Sequence, residues 1–307
     1  MSGHEGSIKE ADAEVLPLIS SKVDTLLMLC ETENELRNYS LKFKLEQAVD
    51  KAAFQAKREE GEEMIHFQRI LQRMADLALN VAPHILQRTR KHLKNKYASE
   101  KSGGSSEAAN NSAGHTDVDN LQRNSSVEEF SDGSEAWLET GARISYTAVE
   151  LLCLILVSHP RLVKALQAYL FECEVLTYIT DALSISREHE IAFFQEGYRT
   201  EHIRLIANLT HDNEKVCSSV VGNSALLSAI LTGTRFDEEN PGMVEWAEFA
   251  IRNLCCGSGE AREKIRYLTP IGISEESKEL LSGKVDCQLT PEGKVVMGRP
   301  DATSDKL

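Results

Sequence analysis

The feature that most constrains the fold of this chain is a helical segment that occurs twice. The segments Ile203–Leu209 and Phe249–Leu254 share an apolar pattern that ends in Asn-Leu. The two asparagines, Asn208 and Asn253, stand about 45 residues apart, and each copy is followed by a polar break. Helices that recur at this interval without strands are typical of armadillo and HEAT repeats, which stack into a solenoid with an extended binding surface. The repeat therefore predicts an all-α, armadillo/HEAT-like α-solenoid that works by binding.

Composition divides the chain into five predicted parts. These are N-terminal helical repeats (1–98), a disordered acidic linker (99–135), armadillo-like repeats (136–268), a C-terminal cap with a β-hairpin (269–298) and a tail (299–307). The linker is rich in Ser, Gly, Asn, Asp and Glu and has almost no aliphatic side chains. Such a stretch cannot bury enough apolar area to offset the entropy of the chain, so we expect it to be disordered.

Turn and breaker residues predict where several elements begin and end. Pro83 should break or kink the preceding helix, because proline lacks a backbone N–H. Asn240-Pro241 reads as a cap with proline at the first helical position. Two helices are expected over 137–184, and the alternation of 285–289 and 295–297 around a turn predicts the hairpin.

Charge and cysteine usage limit the classes of partner and the compartment. The formal net charge of −14 argues against nucleic acid or an anionic membrane as the main partner, since both attract basic surfaces. Other proteins, with exposed basic segments, are the expected partners. None of the seven cysteines forms a C-x-x-C pair, the N-terminus lacks the pattern of a signal peptide, and the longest uncharged apolar run, Leu151–Val157, is too short to span a bilayer. We therefore expect a reduced protein of the cytosol or the nucleus.

The C-terminal third of the chain resembles the ataxin-10 family over about residues 200–298. The residues that carry the similarity are Ile203–Leu209, the block Glu239–Ala247, Ala250–Leu254 and the hairpin-like Glu292–Val296. The resemblance implies an armadillo-like, non-enzymatic cytoplasmic protein, linked through partner binding to cell division and to the outgrowth of cell processes. It thus implies a protein–protein interaction scaffold.

Four residues form a candidate partner-binding stripe. In armadillo arrays, asparagines on the innermost helix bond the backbone of an extended peptide, and a nearby aromatic side chain packs on it. Asn208 and Asn253 occupy equivalent positions, while Trp246 and Phe249 precede Asn253 by seven and four residues and so share its helix face. We therefore predict that Asn208, Trp246, Phe249 and Asn253 contact a partner.

A structural interpretation of the same residues stays open. Two asparagines can form only a few hydrogen bonds with a peptide backbone. In addition, Arg204 stands four positions before Asn208, where an aromatic residue would be expected. In the alternative, both asparagines bind carbonyl groups of the neighbouring repeat and Trp246 belongs to the core. The sequence does not decide between a binding groove and repeat packing.

Two further surface features have a functional and an ordinary interpretation. A basic cluster consists of Arg88, Arg90, Lys91, Lys94 and Lys96. It fits a nuclear-localisation or phosphate-binding patch, but cations are also favoured at a helix C-terminus. Ser126 lies in an Arg-x-Ser-Ser segment before two glutamates, which makes it a candidate phosphorylation site.

Motifs for catalysis, cofactors and metals are weak. His211-Asp212 has no nucleophile elbow beside it, Glu188-His189-Glu190 lacks the spacing of two zinc ligands, and Cys255-Cys256 has no complementary histidine pair. We therefore predict no enzyme activity, no cofactor and no metal. Two alternatives to a scaffold remain, which are a karyopherin-like adaptor for basic peptide segments and a structural assembly subunit. The oligomeric state is not determined by the sequence.

Overall fold

The chain folds into helices and one small sheet. The computed structural model describes residues 4–56, 60–103, 133–188, 196–267, 279, 285–290 and 295–298. Within them the elements are α1 (His4–Thr32), α2 (Arg37–Ala56), α3 (Glu60–Gly103), α4 (Gly133–Val157), α5 (Val163–Glu172), α6 (Val175–Glu188), α7 (Tyr198–Thr210), α8 (Glu214–Gly222), α9 (Ser224–Thr232), α10 (Met243–Gly257), α11 (Gly259–Arg266), β1 (Asp286–Leu289) and β2 (Val295–Gly298). The predicted all-α solenoid class with a small C-terminal hairpin is confirmed.

The first 258 residues form one compact unit built from two layers of helices. Helices α1, α4, α7 and α10 pack side by side in that order and form the first layer. The other helices of this unit form the second layer, and α1, α4 and α7 are each followed by two of them. This pattern of one helix and its two followers is the repeating unit that the spacing of Asn208 and Asn253 predicts.

Helix α4 is the centre of this unit. It packs against α1, α3 and α7, and residues such as Ile144, Leu151 and Ile155 are fully buried. The stretch 138–157 has a mean hydropathy of 1.5 and is long and apolar enough to cross a membrane by composition. In the folded chain, however, 67% of the apolar window is buried against the protein. A long and predominantly apolar helix is expected at the core of a large helical array.

Two helix boundaries differ from the predictions. Helix α3 continues through Pro83, so of the two expectations, a break or a kink, the break is wrong. Proline removes one backbone hydrogen bond, whereas packing of α3 along α4 and α2 stabilises the helix on both sides of that position. The ends of the predicted linker, 99–103 and 133–135, belong to α3 and α4, and its remaining part, 104–132, lies outside the described residues.

The segment after α4 contains one more break than expected. It forms both α5 and α6, which meet at Cys173-Glu174. Glu174 adopts a φ of 58°, in the left-handed region that non-glycine residues seldom occupy. Neither Cys173 nor Glu174 is a turn residue by type, so no breaker signal marks the position in the sequence.

Glycines with a positive φ precede two first-layer helices, and they follow the same repeat interval. Gly197 precedes α7 with a φ of 80°, and Gly242 precedes α10 with a φ of 76°. Glycine reaches this region without the steric cost that a Cβ atom imposes. The two glycines are separated by the same interval as Asn208 and Asn253. The repeat therefore includes the helix entry, and two glycines at the same interval are its signal in the sequence.

The C-terminal unit, Gly259–Leu307, contains α11 and the hairpin. Strands β1 and β2 pair antiparallel, with Cys287 opposite Met297 and Gln288 opposite Val296. The turn between the strands, 291–294, lies outside the described residues.

The end of α10 approaches α8 so closely that a glycine is required there. A Cβ atom on Gly257 would lie 2.8 Å from the Sγ atom of Cys217. That thiol is buried and donates to the carbonyl of Thr210 at 3.3 Å, which fixes its position. We expect Gly257→Ala to lower the free energy of unfolding by about 1–3 kcal/mol through overpacking, although alanine is the better helix former.

Chemical denaturation measures this effect, and a second substitution gives its control. In a Cys217→Ala background the sulfur is absent, so adding the Gly257→Ala methyl group should cost much less. A Gly257→Ala chain that is as stable as the wild type would contradict the close approach.

Candidate partner-binding surface on helices α7 and α10

The structure places Asn253 in the contact between two neighbouring repeats. Its side chain is buried, with 7% of the residue exposed. The Nδ2 group donates to the carbonyl oxygen of Ala207 in α7 at 2.9 Å. This is the contact that the structural interpretation describes, and it fixes the position of α10 against α7. Asn253 therefore lies behind the predicted stripe rather than on its surface.

Asn208 occupies the equivalent repeat position but has a different environment. Its backbone carbonyl accepts from Nε2 of Gln167 at 2.9 Å, and the residue is half-buried. The Nδ2 atom is buried and has no hydrogen-bond partner in the described part of the chain. A buried donor without an acceptor costs about 1–3 kcal/mol, so this amide is a group that an external acceptor would stabilise.

Trp246 and Phe249 form an aromatic surface with Arg204 of α7 and with His211, which follows α7. The rings of Trp246 and Phe249 meet edge to face with centroids 6.0 Å apart, and His211 stacks on Phe249 at 6.4 Å. The guanidinium carbon of Arg204 lies 5.3 Å from the Trp246 ring centroid, within range of a cation–π contact. Trp246 and Phe249 are half-buried and His211 is exposed, so this surface reaches solvent.

We call Arg204, Asn208, His211, Trp246 and Phe249 the α7–α10 stripe. The three α7-side residues recur at helical spacing, which places them on one face, and the two aromatic residues of α10 lie beside them. Arg204, which seemed to depart from the armadillo pattern, is thus the residue that stacks on Trp246. The stripe joins three of the four predicted contact residues and leaves out Asn253.

Two acidic side chains of the first-layer helices, Glu201 and Glu150, are engaged by cations. Arg204 contacts the Glu201 carboxylate at 3.3 Å, one turn earlier on α7, and Lys22 of α1 pairs with Glu150 of α4. Burial raises the pKa of the Glu201 carboxyl, and the Arg204 charge opposes that shift. The Nε atom of Arg204 is buried and has no hydrogen-bond partner among the described residues. Together with Nδ2 of Asn208, this leaves two buried donors without acceptors in the described part of the chain, beside the aromatic rings.

Behind the stripe, a buried polar cluster joins α4, α6 and α7. Tyr178 Oη lies 2.9 Å from Ser145 Oγ and 3.1 Å from His202 Nε2, and Ser145 Oγ lies 3.4 Å from Tyr198 Oη. His202 Nδ1 lies 2.8 Å from the carbonyl oxygen of Tyr198, so Nδ1 carries the proton and Nε2 accepts from Tyr178. Burial lowers the pKa of His202 to about 4 and raises that of Tyr198 to about 12. The cluster is neutral and structural.

The loop before α10 binds the start of α7. Asn240 is buried, and its Oδ1 accepts from the backbone N–H of Arg199 at 2.8 Å, while its Nδ2 donates to Asp237. Asp237 also binds the Arg199 guanidinium at 2.8 Å. The expectation that Asn240-Pro241 caps its own helix is wrong, since α10 begins at Met243 and Asn240 caps the neighbouring repeat instead.

Of the other candidate sites, the basic cluster contains two arginines that form ion pairs, and the candidate phosphorylation site cannot be described. Arg88 pairs with Glu33 and Glu35, and Arg90 pairs with Asp181. Ser126 lies outside the described residues. Within the part of the chain that is described, no group of three or more His, Cys, Asp or Glu residues is placed to hold a metal ion.

The fold and the surface together define a helical-repeat protein. Comparison with known proteins then identifies the family of its C-terminal segment, because residues 198–298 match the family described as "Spinocerebellar ataxia type 10 protein domain". The match begins at the first residue of α7 and ends at the last residue of β2, so it starts at a repeat boundary. The resemblance to the ataxin-10 family is thereby confirmed over this segment.

Curated relatives give the same assignment. The chain is 34% identical to "Ataxin-10 homolog" of Dictyostelium discoideum over 87 residues, which cover 28% of this chain and 14% of that protein. It is 28% identical to "Ataxin-10" of Xenopus tropicalis over 102 residues (33% of this chain, 21% of the relative) and 28% identical to "Ataxin-10" of Bos taurus over 97 residues (31% and 20%). The chain thus matches only about a fifth or less of these relatives' length. No solved structure matches.

Proposed function

We propose that this protein is a non-catalytic scaffold that binds other proteins through the α7–α10 stripe. The observation that carries the proposal is the stripe itself. In it, two aromatic rings and a stacked guanidinium lie at one surface, beside a buried amide that has no hydrogen-bond partner among the described residues. Aromatic and arginine side chains supply most of the binding energy in protein interfaces. Repeat solenoids, in turn, bind partners along the surface that their stacked helices form.

The placement of the titratable groups supports a binding role over an enzymatic one. A catalytic site needs acids or bases with shifted pKa values in a concave, accessible pocket. Here the cluster of His202, Tyr178 and Tyr198 has shifted pKa values, but all three residues are buried and bonded to one another or to Ser145. Burial, rather than a task in chemistry, accounts for these shifts.

The family resemblance extends the proposal to a cellular setting. It supports a cytoplasmic protein that acts in cell division or in the outgrowth of cell processes by holding partners together. The matched segment, 198–298, contains both helices that carry the stripe. The stripe is therefore the part of this chain through which a role shared with the ataxin-10 proteins would be exerted.

A second candidate function, a structural assembly subunit, is favoured by the first two helices. Several large apolar side chains there are exposed, namely Leu18 (53%), Met28 (60%), Leu41 (56%) and Leu45 (68%). Exposed apolar patches commonly mark contacts with other proteins. Self-association measured by light scattering, and abolished by Met28→Lys with Leu45→Lys, would support this candidate.

A double substitution tests the stripe. We expect Trp246→Ala with Phe249→Ala to abolish the retention of specific partners in affinity purification from cells, because both anchor rings are removed. Half-buried side chains contribute some stability as well, so thermal melts must show that the variant remains folded at the temperature of the assay.

Phe236 provides the matched control. This phenylalanine is 78% exposed and lies between α9 and α10, and it is not one of the residues of the stripe. Phe236→Ala should leave the retained partners unchanged. Partners that persist on the folded double variant, or that are lost equally with Phe236→Ala, would refute the stripe as the binding surface.

A further inference from the structure

The α7–α10 stripe holds two hydrogen-bond donors that the described part of the fold leaves without acceptors. Two of its donors, Nε of Arg204 and Nδ2 of Asn208, are buried and have no hydrogen-bond partner among the described residues. They lie one helical turn apart on α7, which is the separation of neighbours on one helix face. A ligand that supplies acceptors at this spacing would satisfy two groups that the fold leaves unsatisfied.

The charges around the stripe indicate what kind of acceptor fits. Glu201 is held by Arg204, and Glu150, on the adjacent first-layer helix, is held by Lys22. A ligand with lysine or arginine side chains would have to displace a cation to reach either of these two carboxylates. A ligand with a carboxylate could instead form a charge-assisted hydrogen bond with the guanidinium edge that remains free.

The side chains that hold these donors also reach the surface. The Arg204 side chain is 27% exposed, and Asn208 is half-buried. Small rotamer changes would therefore bring Nε and Nδ2 to a bound segment without unfolding the helix. Trp246 and Phe249 beside them can pack against an apolar side chain or an extended backbone of the same segment.

We propose that the α7–α10 stripe selects an acidic peptide segment, with a carboxylate side chain bound at Arg204 and a backbone or side-chain carbonyl bound at Asn208. This inference rests on the proposed binding function and names the chemistry of the partner. It differs from the expectation drawn from the net charge of −14, which favours basic partners. The charged groups close to the stripe determine which peptide binds, because the effect of charges more than about 8 Å away is screened at physiological salt.

Peptide binding to the full chain tests the proposal. Two pools of seven-residue peptides with blocked termini are compared. One pool carries Glu at the third and fifth positions, and the other carries Lys there. Both have the same mixture of Ala, Leu, Gly and Thr at the remaining positions. In a Trp137→Phe chain, Trp246 is the only tryptophan, so its fluorescence reports binding at the stripe. At about 0.15 M salt we expect the Glu pool to bind at least about tenfold more tightly than the Lys pool.

Charge-neutralising variants assign the preference to a residue. Arg204→Gln should reduce the affinity for the Glu pool by about tenfold, to the level of the Lys pool. Arg252→Gln removes the same charge from an exposed position of α10 outside the stripe and should leave the affinity unchanged. Circular dichroism confirms that both variants keep their helices.

Each other outcome overturns the inference in a distinct way. Equal or tighter binding of the Lys pool would show that the surface does not select carboxylates, while the proposed binding function would stand. An unaltered Glu preference in Arg204→Gln would exclude Arg204 as the recognising residue. Binding of neither pool would refute recognition of acidic peptides, and partner retention by the Trp246/Phe249 variant would still decide the proposed function separately.

Discussion

Replacing Asn240 by alanine is expected to lower the free energy of unfolding by about 2.5–4 kcal/mol. The side chain is 5% exposed and caps the backbone N–H of Arg199 at 2.8 Å, and its amide binds Asp237 at 3.1 Å. Loss of a capping side chain costs about 1 kcal/mol, and loss of a hydrogen bond to a charged group adds about 1.5–3 kcal/mol. Because the cap joins α7 to the loop before α10, the effect is a loss of contact between repeats.

Asn223→Ala is the matched control for this substitution. Asn223 caps its own helix, with its side chain accepting from the N–H of Leu226 at 3.1 Å, and its Nδ2 donates to the neutral hydroxyl of Thr180 at 3.0 Å. Its removal should cost about 1 kcal/mol for the cap and about 0.5–1.5 kcal/mol for the neutral hydrogen bond, which is less than the loss of a bond to the charged Asp237. Urea denaturation of both variants makes the comparison. An Asn240→Ala chain that loses no more stability than Asn223→Ala would contradict the role of Asn240 as a link between repeats.

The second large effect is a fall in stability as the pH decreases from about 6.5 to about 4. His202 is buried, and its pKa is lowered from 6.5 to about 4. In this interval the unfolded chain binds a proton at His202 and the folded chain does not, so acid favours unfolding. The neutral histidine therefore contributes fully to stability above pH 6.5, and about 3 kcal/mol is lost by pH 4.

His202→Gln separates this effect from the titration of the carboxylates. Glutamine cannot titrate but retains hydrogen-bonding groups that could contact Tyr178, whereas the other acidic and basic residues are shared by both chains. The difference in unfolding free energy between the wild type and the variant should shrink by about 3 kcal/mol between pH 7 and pH 4. Parallel curves over that interval would show that His202 is not held neutral in the fold.

The solenoid was predictable because its signal is periodic. In the structure, Asn208 and Asn253 occupy equivalent positions of α7 and α10, so their separation in the sequence is the length of one repeat. The hairpin was predictable for the same reason, since strand residues alternate on either side of a turn. The break at Cys173-Glu174 was not predictable, because tertiary packing places a non-glycine residue in the left-handed region there.

The site was only partly predictable, because periodicity does not say which neighbour a side chain meets. Asn208 and Asn253 are equivalent in sequence, but one amide has no partner and the other binds Ala207. Arg204 and His211 were missed as surface partners of the two aromatic rings because their contacts cross between helices. Helical spacing from Asn208 would have placed both residues on its face, which is the signal that could have found them.

The measurement that tests the account most directly is photo-crosslinking from position 249. The photoreactive amino acid p-benzoylphenylalanine replaces Phe249 in the stripe or, in a separate chain, the exposed Phe236. If the α7–α10 stripe is the binding surface, irradiation in cells should yield discrete protein adducts from position 249, and Arg204→Gln should weaken them. Position 236 should give none of these adducts. Adducts from position 236 alone, or none from position 249 in a folded chain, would contradict the central claim.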